Sequence, residues 1–244
     1  SCDVLENSDA RVEWNEKNMK YAMCFFPSGR SGDRNSGGHP RKCASCVYVM
    51  RNVVFAGVMT LLPVLVNGGI HMDGFLDTMD ALNSYGSREK KLEILKDSRT
   101  GAFAVIGFGL YLVASLALWS EAKTEMLPVI GAGYVMSRSL SGFSVMVFPS
   151  AKKDGLGRTF QEQAHRKRVA VVMVCWFFAA LAVMLMTSVQ MGAAALCTAL
   201  LVFWYYHHMA MKQFGGMTGD LAGYFLQLAE LLILAAVIVA GGAL

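Results

Sequence analysis

The composition of this 244-residue chain excludes an ordinary soluble enzyme, because 55% of its residues are hydrophobic and only 16% are charged. Soluble domains carry closer to about a quarter charged residues, and the mean hydropathy of +0.41 is that of an integral membrane protein. We therefore expect a lipid bilayer as the surroundings of the chain. The net charge of +4 is modest, so we expect no nucleic-acid partner.

Residues 1–51 are predicted to form a separate N-terminal segment, either cytoplasmic or divergent and partly disordered. Within it, residues 28–46 are polar and rich in Ser and Gly, which is typical of a loop or of disorder. Cys43 and Cys46 have the spacing of zinc ligands, but no second Cys or His pair follows at a suitable distance. We therefore expect no metal site in this segment.

From residue 52 onward the sequence predicts an all-α fold, a polytopic bundle of about six transmembrane helices. A helix needs about 20 apolar residues to cross the hydrocarbon core, and stretches of this length with little or no charge recur along the chain. They are too long to be strands of a membrane barrel. The predicted spans are 52–70, 101–119, 126–148, 169–187, 190–210 and 221–243. We interpret residues 52–244 as one membrane domain.

The loops between these spans predict the orientation of the bundle. Arg and Lys collect in the connections 85–99 and 151–168, which should face the cytoplasm by the positive-inside rule. Two spans separate these connections, and two more lead to residues 212–220, so all three should lie on one side. We therefore expect the polar residues of the loops to converge on the cytoplasmic face of the cell membrane.

Three aspartates after the first span form the most informative cluster. Asp73, Asp77 and Asp80 are spaced i, i+4, i+7, which places them on one face of a helix. Like charges this close repel unless a cation neutralises them, and carboxylate oxygens suit Mg²⁺ or Mn²⁺ bound together with substrate phosphates. The alternative is a solvated acidic first turn stabilised by the helix dipole. Because ionisable residues at membrane depth are usually functional, we favour the metal site.

Basic residues further along are candidates for contact with phosphate. Lys96 and Arg99 flank Asp97 just before the second span, and a lysine charge beside an arginine fork suits phosphate. Positive-inside placement explains these two residues equally well, and it is our preferred interpretation of the preceding Lys90 and Lys91.

A second pair of ionisable residues lies inside the predicted spans. Arg138 is surrounded by apolar sequence, so it should face the bundle interior and pair with a carboxylate or an anionic ligand. A glutamate is equally costly in the membrane, and Glu230 is therefore a candidate partner for Arg138.

Four motifs, taken in this order, resemble the cobalamin synthase family of adenosylcobinamide-GDP ribazoletransferases. They are GGIHMDGFLDTMDAL at 68–82, LEILKDSRTGAF at 92–103, AKKDGLG at 151–157 and GGMTGD at 215–220. The resemblance extends over residues 52–244. It implies an inner-membrane enzyme that joins adenosylcobinamide-GDP to α-ribazole or its 5′-phosphate, releases GMP and requires Mg²⁺.

The resemblance also implies roles for individual residues. Asp73, Asp77 and Asp80 would be catalytic and bind the metal, and His71 or one of these aspartates would take the proton of the ribazole hydroxyl. Asp97 and Asp220 could complete the metal site. The residues expected to bind the substrate are Lys96, Asp97, Arg99, Arg138, Lys153 and Asp220.

The chain departs from the family pattern at residues 28–46, where the family has an apolar helix. A span in this position would place the basic residues of 11–20 in the cytoplasm and satisfy the positive-inside rule. We therefore interpret residues 28–46 as divergent or as translated from a shifted reading frame.

Two other functions are compatible with a polytopic protein of this kind. A CDP-alcohol phosphotransferase also uses aspartates on helices, but its D-x-x-D-G pattern is absent because Thr78 follows Asp77. A secondary transporter would use Asp73, Arg138 and Glu230 as an ion or proton relay, yet no internal repeat is seen. The sequence leaves open whether the chain forms a homo-oligomer.

Overall fold

The computed structural model describes residues 40–97, 99–151 and 166–242. The chain divides into two units, Ser1–Lys42 and Cys43–Leu244, and all described residues except 40–42 belong to the second. Lys153 and residues 28–39 of the divergent stretch lie outside the described residues.

The described residues are helical, which confirms the predicted all-α fold. A 3₁₀ turn, Thr124–Met126, precedes the fifth helix, and a π-helical turn, Ala210–Phe214, follows the seventh. The α-helices in the described part of the chain are α1 Pro40–Val66, α2 Ile70–Asn83, α3 Arg88–Ile94, α4 Ala102–Glu121, α5 Leu127–Val147, α6 Arg166–Thr187, α7 Val189–Met209 and α8 Gly219–Ala240.

Helix α1 begins earlier than the sequence predicted. It starts at Pro40, so residues 40–46, which were predicted to be loop, are helical, and the helix crosses the predicted domain boundary at residue 52. Proline is favoured at the first position of a helix because its fixed φ suits the helix and its missing N–H is not needed there. The Ser- and Gly-rich composition before residue 40 therefore does not decide the conformation of the residues that follow.

The structure supports a multi-pass membrane protein but not the full count of six spans. Helices long and apolar enough to cross a membrane are Ala102–Glu121, Lys167–Thr187, Val189–Phe214 and Gly219–Ala240. A fifth is obtained if Asn52–Val66 and Ile70–Asn83, which are bent by 91° relative to each other, form one span. Helix α5 has the length predicted for 126–148, but Arg138 and several serines lower its hydropathy. Those serines are the buried Ser137, Ser139, Ser141 and Ser144.

A sharp bend separates the first predicted span from the aspartates. Helix α1 ends at Val66, and Gly68 and Gly69 then adopt left-handed backbone conformations with φ of 60° and 78°. Residues with a Cβ rarely adopt such values, so the glycines permit the bend. Helix α2 has 14 residues and is therefore about 21 Å long, which is too short to cross a hydrocarbon core of about 30 Å by itself.

Helix α8 forms the centre of the described bundle. It packs against α2, α4, α5 and α7. In the most apolar stretch of α8, 67% is buried inside the bundle. The corresponding share in α6 is 11%, so α6 presents most of its surface outward. A helix that is apolar on all sides is expected both in the core of a bundle and facing lipid.

Aromatic rings hold the ends of three helices together near the loops. Phe148, just after α5, lies with its ring centroid 5.7 Å from that of Tyr206 on α7. Tyr206 in turn stacks on Phe225 of α8, with centroids 5.0 Å apart. Such pairs add about 0.5–1.5 kcal/mol to the burial of the rings, so this cluster fixes the connections that begin and end beside it.

Candidate active site

Helix α2 carries the predicted carboxylates on the face that it turns away from the core. Asp73 is exposed, and Asp77 and Asp80 are half-buried. The side chains that α2 buries are Met72, Phe75, Thr78 and Ala81, together with Gly74. The three carboxylates are thus accessible at the edge of the bundle, as a site that binds a large substrate requires.

Close contact between α2 and α8 places Asp220 beside this acidic helix. A Cβ at Gly74 would lie 2.7 Å from the backbone oxygen of Asp220. A Cβ at Gly223 would lie 2.9 Å from the backbone oxygen of His71, one turn further along the same interface. Asp220 stands in the first turn of α8, whose N-terminus is capped by the Thr218 hydroxyl accepting from Leu221 N at 3.2 Å. The structure therefore brings two of the four motifs together.

Asp80 connects α2 to the beginning of α4. Its Oδ2 accepts a hydrogen bond of 2.6 Å from Gly101 N, and its Oδ1 accepts one of 2.9 Å from Ala104 N. The first N–H groups of a helix have no partner within the helix, so Asp80 caps α4 from another helix. A Cβ at Gly101 would lie 2.6 Å from Oδ1 of Asp80, so glycine leaves room for the carboxylate.

The loop before α4 holds Asp97 and Arg99 as an ion pair. Arg99 Nη2 donates to Asp97 Oδ2 at 2.8 Å, and Arg99 Nε donates to Asp97 Oδ1 at 3.0 Å. Hydrogen bonds from the side chain and backbone of Arg99 lower the pKa of Asp97 to about 2, so the pair stays ionised at neutral pH. The Arg99 side chain remains 88% exposed, which leaves its other donors accessible to an anion. Lys96 is exposed on the same loop.

The structure pairs Arg138 with Glu230 inside the bundle. Arg138 Nη1 donates to Glu230 Oε1 and also to the backbone oxygen of Tyr134 at 3.1 Å. The Glu230 side chain is 2% exposed and that of Arg138 38%, so the carboxylate lies in the core and the guanidinium at its edge. The pair joins α5 to α8. His71 is half-buried at the start of α2, and its Nδ1 has no hydrogen-bond partner among the described residues.

The loops that the sequence placed on one side are in contact with one another. Ala151 N donates to Met217 O at 3.0 Å, and Met217 N donates to Pro149 O at 2.8 Å. Lys91 Nζ donates to Gln213 Oε1 at 2.6 Å. The connections after α2, α5 and α7 therefore meet at one end of the described bundle.

Sequence reasoning missed three residues at this end of the bundle. The positive-inside rule accounts for Lys91 in the sequence, but the residue is buried in the structure. No sequence motif indicates Arg88, and the sequence indicates Gly101 only as the start of a span. Their positions depend on partners far away in the sequence, so no local pattern indicated them.

The described residues contain no group of three or more His, Cys, Asp or Glu side chains arranged to hold a metal ion. Mg²⁺ is usually bound through one or two carboxylates together with substrate phosphates and water, rather than in a complete cage of protein ligands. Hard carboxylate oxygens of Asp73 and Asp77, one turn apart and accessible, fit a cation that is held jointly with a phosphorylated substrate.

Comparison with known proteins agrees with the resemblance seen in the motifs. The family model for cobalamin-5-phosphate synthase matches residues 40–238. The chain is 41% identical over 236 residues to the adenosylcobinamide-GDP ribazoletransferase of Lachnoclostridium phytofermentans, covering 94% of this chain and 88% of that protein. It is 30% identical over 243 residues to the protein of the same name from Treponema denticola, covering 91% and 89%. No solved structure matches it. The chain belongs to the cobalamin-5-phosphate synthase family.

Proposed function

We propose that this chain is an adenosylcobinamide-GDP ribazoletransferase. It joins adenosylcobinamide-GDP and α-ribazole, or its 5′-phosphate, into adenosylcobalamin or its 5′-phosphate and releases GMP, a late step in assembly of the nucleotide loop. The observation that carries the proposal is the family match over residues 40–238, which includes every motif that meets at the carboxylate-bearing end of the bundle.

The reaction transfers a substituted phosphate group. A ribose hydroxyl of α-ribazole attacks the phosphorus that carries cobinamide, and the bond between that phosphorus and the bridging oxygen of GMP breaks. Negative charge on the phosphates must be neutralised by groups that are already in place, because positioning and electrostatics supply most of the catalysis in phosphoryl transfer.

Two basic residues of the loop before α4 are proposed to hold the diphosphate. Lys96 and Arg99 are exposed, and Asp97 orients the Arg99 guanidinium. Asp80 fastens the end of this loop to the acidic helix, which keeps the cations near the carboxylates. Lys153 is proposed, from its sequence motif, as a third cation that holds the diphosphate. Arg138 is proposed to contact the substrate, because its guanidinium lies at the edge of the core.

Asp73 and Asp77 are the residues proposed to hold Mg²⁺, with Asp80 and Asp220 available to complete the ligand set. Each oxygen of the Asp80 carboxylate accepts one backbone hydrogen bond and keeps a second lone pair. A divalent cation there would neutralise charge on the diphosphate and on the departing GMP. His71 or one of the aspartates would take the proton from the ribazole hydroxyl.

We also propose that the carboxylate-bearing end of the bundle faces the cytoplasm at the cell membrane. The basic residues of 85–99 and 166–168 support this orientation through the positive-inside rule. Activated nucleotide substrates are cytoplasmic compounds, which is consistent with a site on this side.

The direct test is turnover by the purified full chain in detergent or liposomes. Adenosylcobinamide-GDP and α-ribazole are supplied with and without Mg²⁺, and GMP and the corrinoid product are both measured. We expect metal-dependent formation of GMP and adenosylcobalamin in equal amounts. If the inserted protein forms neither, residues 28–46 are replaced by the corresponding segment of the Lachnoclostridium phytofermentans relative, and continued absence of product contradicts the proposal.

A further inference from the structure

Lys91 is a buried cation without a counter-charge in the described part of the chain. It is only 7% exposed, and its ammonium group donates a 2.6 Å hydrogen bond to the Gln213 amide oxygen. The ion pairs found within residues 40–97, 99–151 and 166–242 are Lys90–Glu93, Arg99–Asp97 and Arg138–Glu230. Lysine is rarely buried unless it is paired, so a neutral amide alone is an unusual partner for this charge.

Arg88 lies one turn before Lys91 on the same face of α3. Its guanidinium is so close to Gly215 that a Cβ at this position would overlap it. Gly215 also has a left-handed backbone with φ of 72°, so glycine is required there for two reasons. Arg88 is exposed and takes part in none of the ion pairs of the described residues.

These two cations lie beside the connection that leads into the candidate active site. Gln213 and Gly215 precede Asp220 in the segment between α7 and α8, and Asp220 contacts Gly74 of the acidic helix. Five residues of extended chain reach at most about 18 Å, so Gly215 lies within that distance of Asp220. A nucleotide bound at the carboxylates can therefore extend to this pair.

We propose that Arg88 and Lys91 form a phosphate-binding subsite for the guanosine nucleotide, acting on the GMP portion of the substrate and on GMP before its release. The inference rests on the proposed function. Phosphate suits the pair because the arginine fork binds two oxygens and the lysine ammonium supplies a point charge. An anion here also gives the buried Lys91 charge the partner that the described residues lack.

The helix itself offers a matched control. Lys90 stands next to Lys91, has the same charge and pairs with Glu93 at the surface, where both side chains are more than half exposed. The variants are Arg88→Ala, Arg88→Lys, Lys91→Met and Lys90→Ala. Arg88 is exposed, so its substitution should leave the fold intact even if Lys91→Met does not.

The first measurement is the affinity of each variant for GMP by equilibrium dialysis in detergent without added lipid. Loss of a hydrogen bond to a charged group corresponds to roughly tenfold in affinity, so we expect about tenfold weaker binding in Arg88→Ala and Lys91→Met. Lys90→Ala should bind GMP like the unchanged protein, and Arg88→Lys should fall between. Inhibition of turnover by GMP should weaken in the same order.

The second measurement distinguishes nucleotide phosphate from lipid headgroups. Association of detergent-solubilised protein with phosphatidylglycerol and with phosphatidylcholine vesicles is compared for the same variants. Unchanged GMP affinity in Arg88→Ala, with weaker association only to phosphatidylglycerol, would overturn the proposal in favour of a lipid site. GMP binding is measured without turnover. A protein that forms no product even after residues 28–46 are replaced would contradict the proposed function, and the GMP affinities of the variants would still decide this inference.

Discussion

The carboxylate of Asp80 connects two elements of the bundle. Both of its oxygens accept backbone N–H groups of the first turn of α4, from Gly101 and Ala104. The contact joins the helix that carries the carboxylates to the loop that carries Lys96 and Arg99. Asp80 therefore has a positioning role in addition to the ligand role proposed for it.

We expect the two single variants Asp80→Asn and Gly101→Ala each to lower turnover. The amide introduced by Asp80→Asn presents a donor where one backbone N–H needs an acceptor, and a Cβ at Gly101 would lie 2.6 Å from Oδ1 of Asp80. Gly101 has an extended φ of −89°, which alanine also adopts, so the second variant adds no backbone strain. Loss of the cap should cost about 1–2 kcal/mol of stability, measured as a lower unfolding temperature. Normal turnover in Gly101→Ala with an inactive Asp80→Asn would show that positioning is not the main role of Asp80.

We expect Asp77→Ala to abolish turnover while the protein still inserts and folds. The side chain is half-buried on the accessible face of α2, so its removal leaves no cavity in the core. Loss of a group that stabilises transition-state charge lowers kcat by about 10²–10³. The matched control is Glu125→Ala, which removes an exposed carboxylate beyond the far end of α4. Titration of Mn²⁺ by electron paramagnetic resonance should show weaker binding only in Asp77→Ala, and near-normal turnover in that variant would contradict the metal assignment.

At the scale of the elements, the crossing of α2 and α8 requires small residues. Gly74 and Gly223 let the two backbones approach, and each glycine faces backbone atoms of the other helix. Close approach through small residues is a common way for helices to associate in membranes, where no hydrophobic driving force acts between them. The crossing sets the position of Asp220 relative to Asp73 and Asp77.

Substitution of Gly223 by Ala should destabilise this crossing. The added Cβ would lie 2.9 Å from the backbone oxygen of His71, and backbone yields less easily than a side chain. Overpacking of this kind costs about 1–3 kcal/mol, which should appear as a lower unfolding temperature in detergent. Gly109→Ala on α4 is the control, because nothing lies within 4 Å of its added Cβ. Equal unfolding temperatures for the two variants would show that α2 and α8 are not in this contact.

The Arg138–Glu230 pair is a second link between elements, joining α5 to α8. Arg138→Met leaves a buried carboxylate without its cation, which costs about 3 kcal/mol or more. Replacing both partners by apolar residues, as in Arg138→Met with Glu230→Leu, should recover most of that loss because no buried charge remains. The unfolding temperatures of the single and double variants measure this loss and recovery of stability.

The same double variant tests whether Arg138 contacts the substrate. If it is stable and has a raised KM for adenosylcobinamide-GDP, the predicted contact of Arg138 with substrate is supported. A normal KM would limit Arg138 to a link between helices.

At the scale of the whole molecule, local hydropathy predicts four of the long helices well. The spans predicted at 101–119, 169–187, 190–210 and 221–243 correspond to α4, α6, α7 and α8, with ends that agree to within a few residues. Helix length and apolar composition are properties of a continuous stretch, so the sequence alone reveals them. The convergence of three polar loops also followed from counting crossings between basic segments.

Other features depend on packing between distant segments and could not be predicted. Gly68 and Gly69 indicate that the backbone can bend here, but the angle of 91° between the two helices depends on the packing of α2 on α8. The spacing of Asp80 indicated its face on α2 but not its contact with Gly101. Likewise Lys91 resembles an ordinary surface lysine until Gln213 is placed against it.

The side of the membrane on which the site lies can be tested by labelling single cysteines. Tyr85 is 89% exposed in the connection between α2 and α3, at the end where the polar loops meet. Lys123 is exposed between α4 and α5, at the opposite end of α4 from the loop that carries Arg99. In a chain without its native cysteines, we expect a membrane-impermeant maleimide to label Lys123→Cys in intact cells and Tyr85→Cys only in inside-out vesicles, because basic loops remain in the cytoplasm. The reverse pattern would place the carboxylates outside the cell, and labelling of both variants from one side would mean that α4 does not cross the membrane.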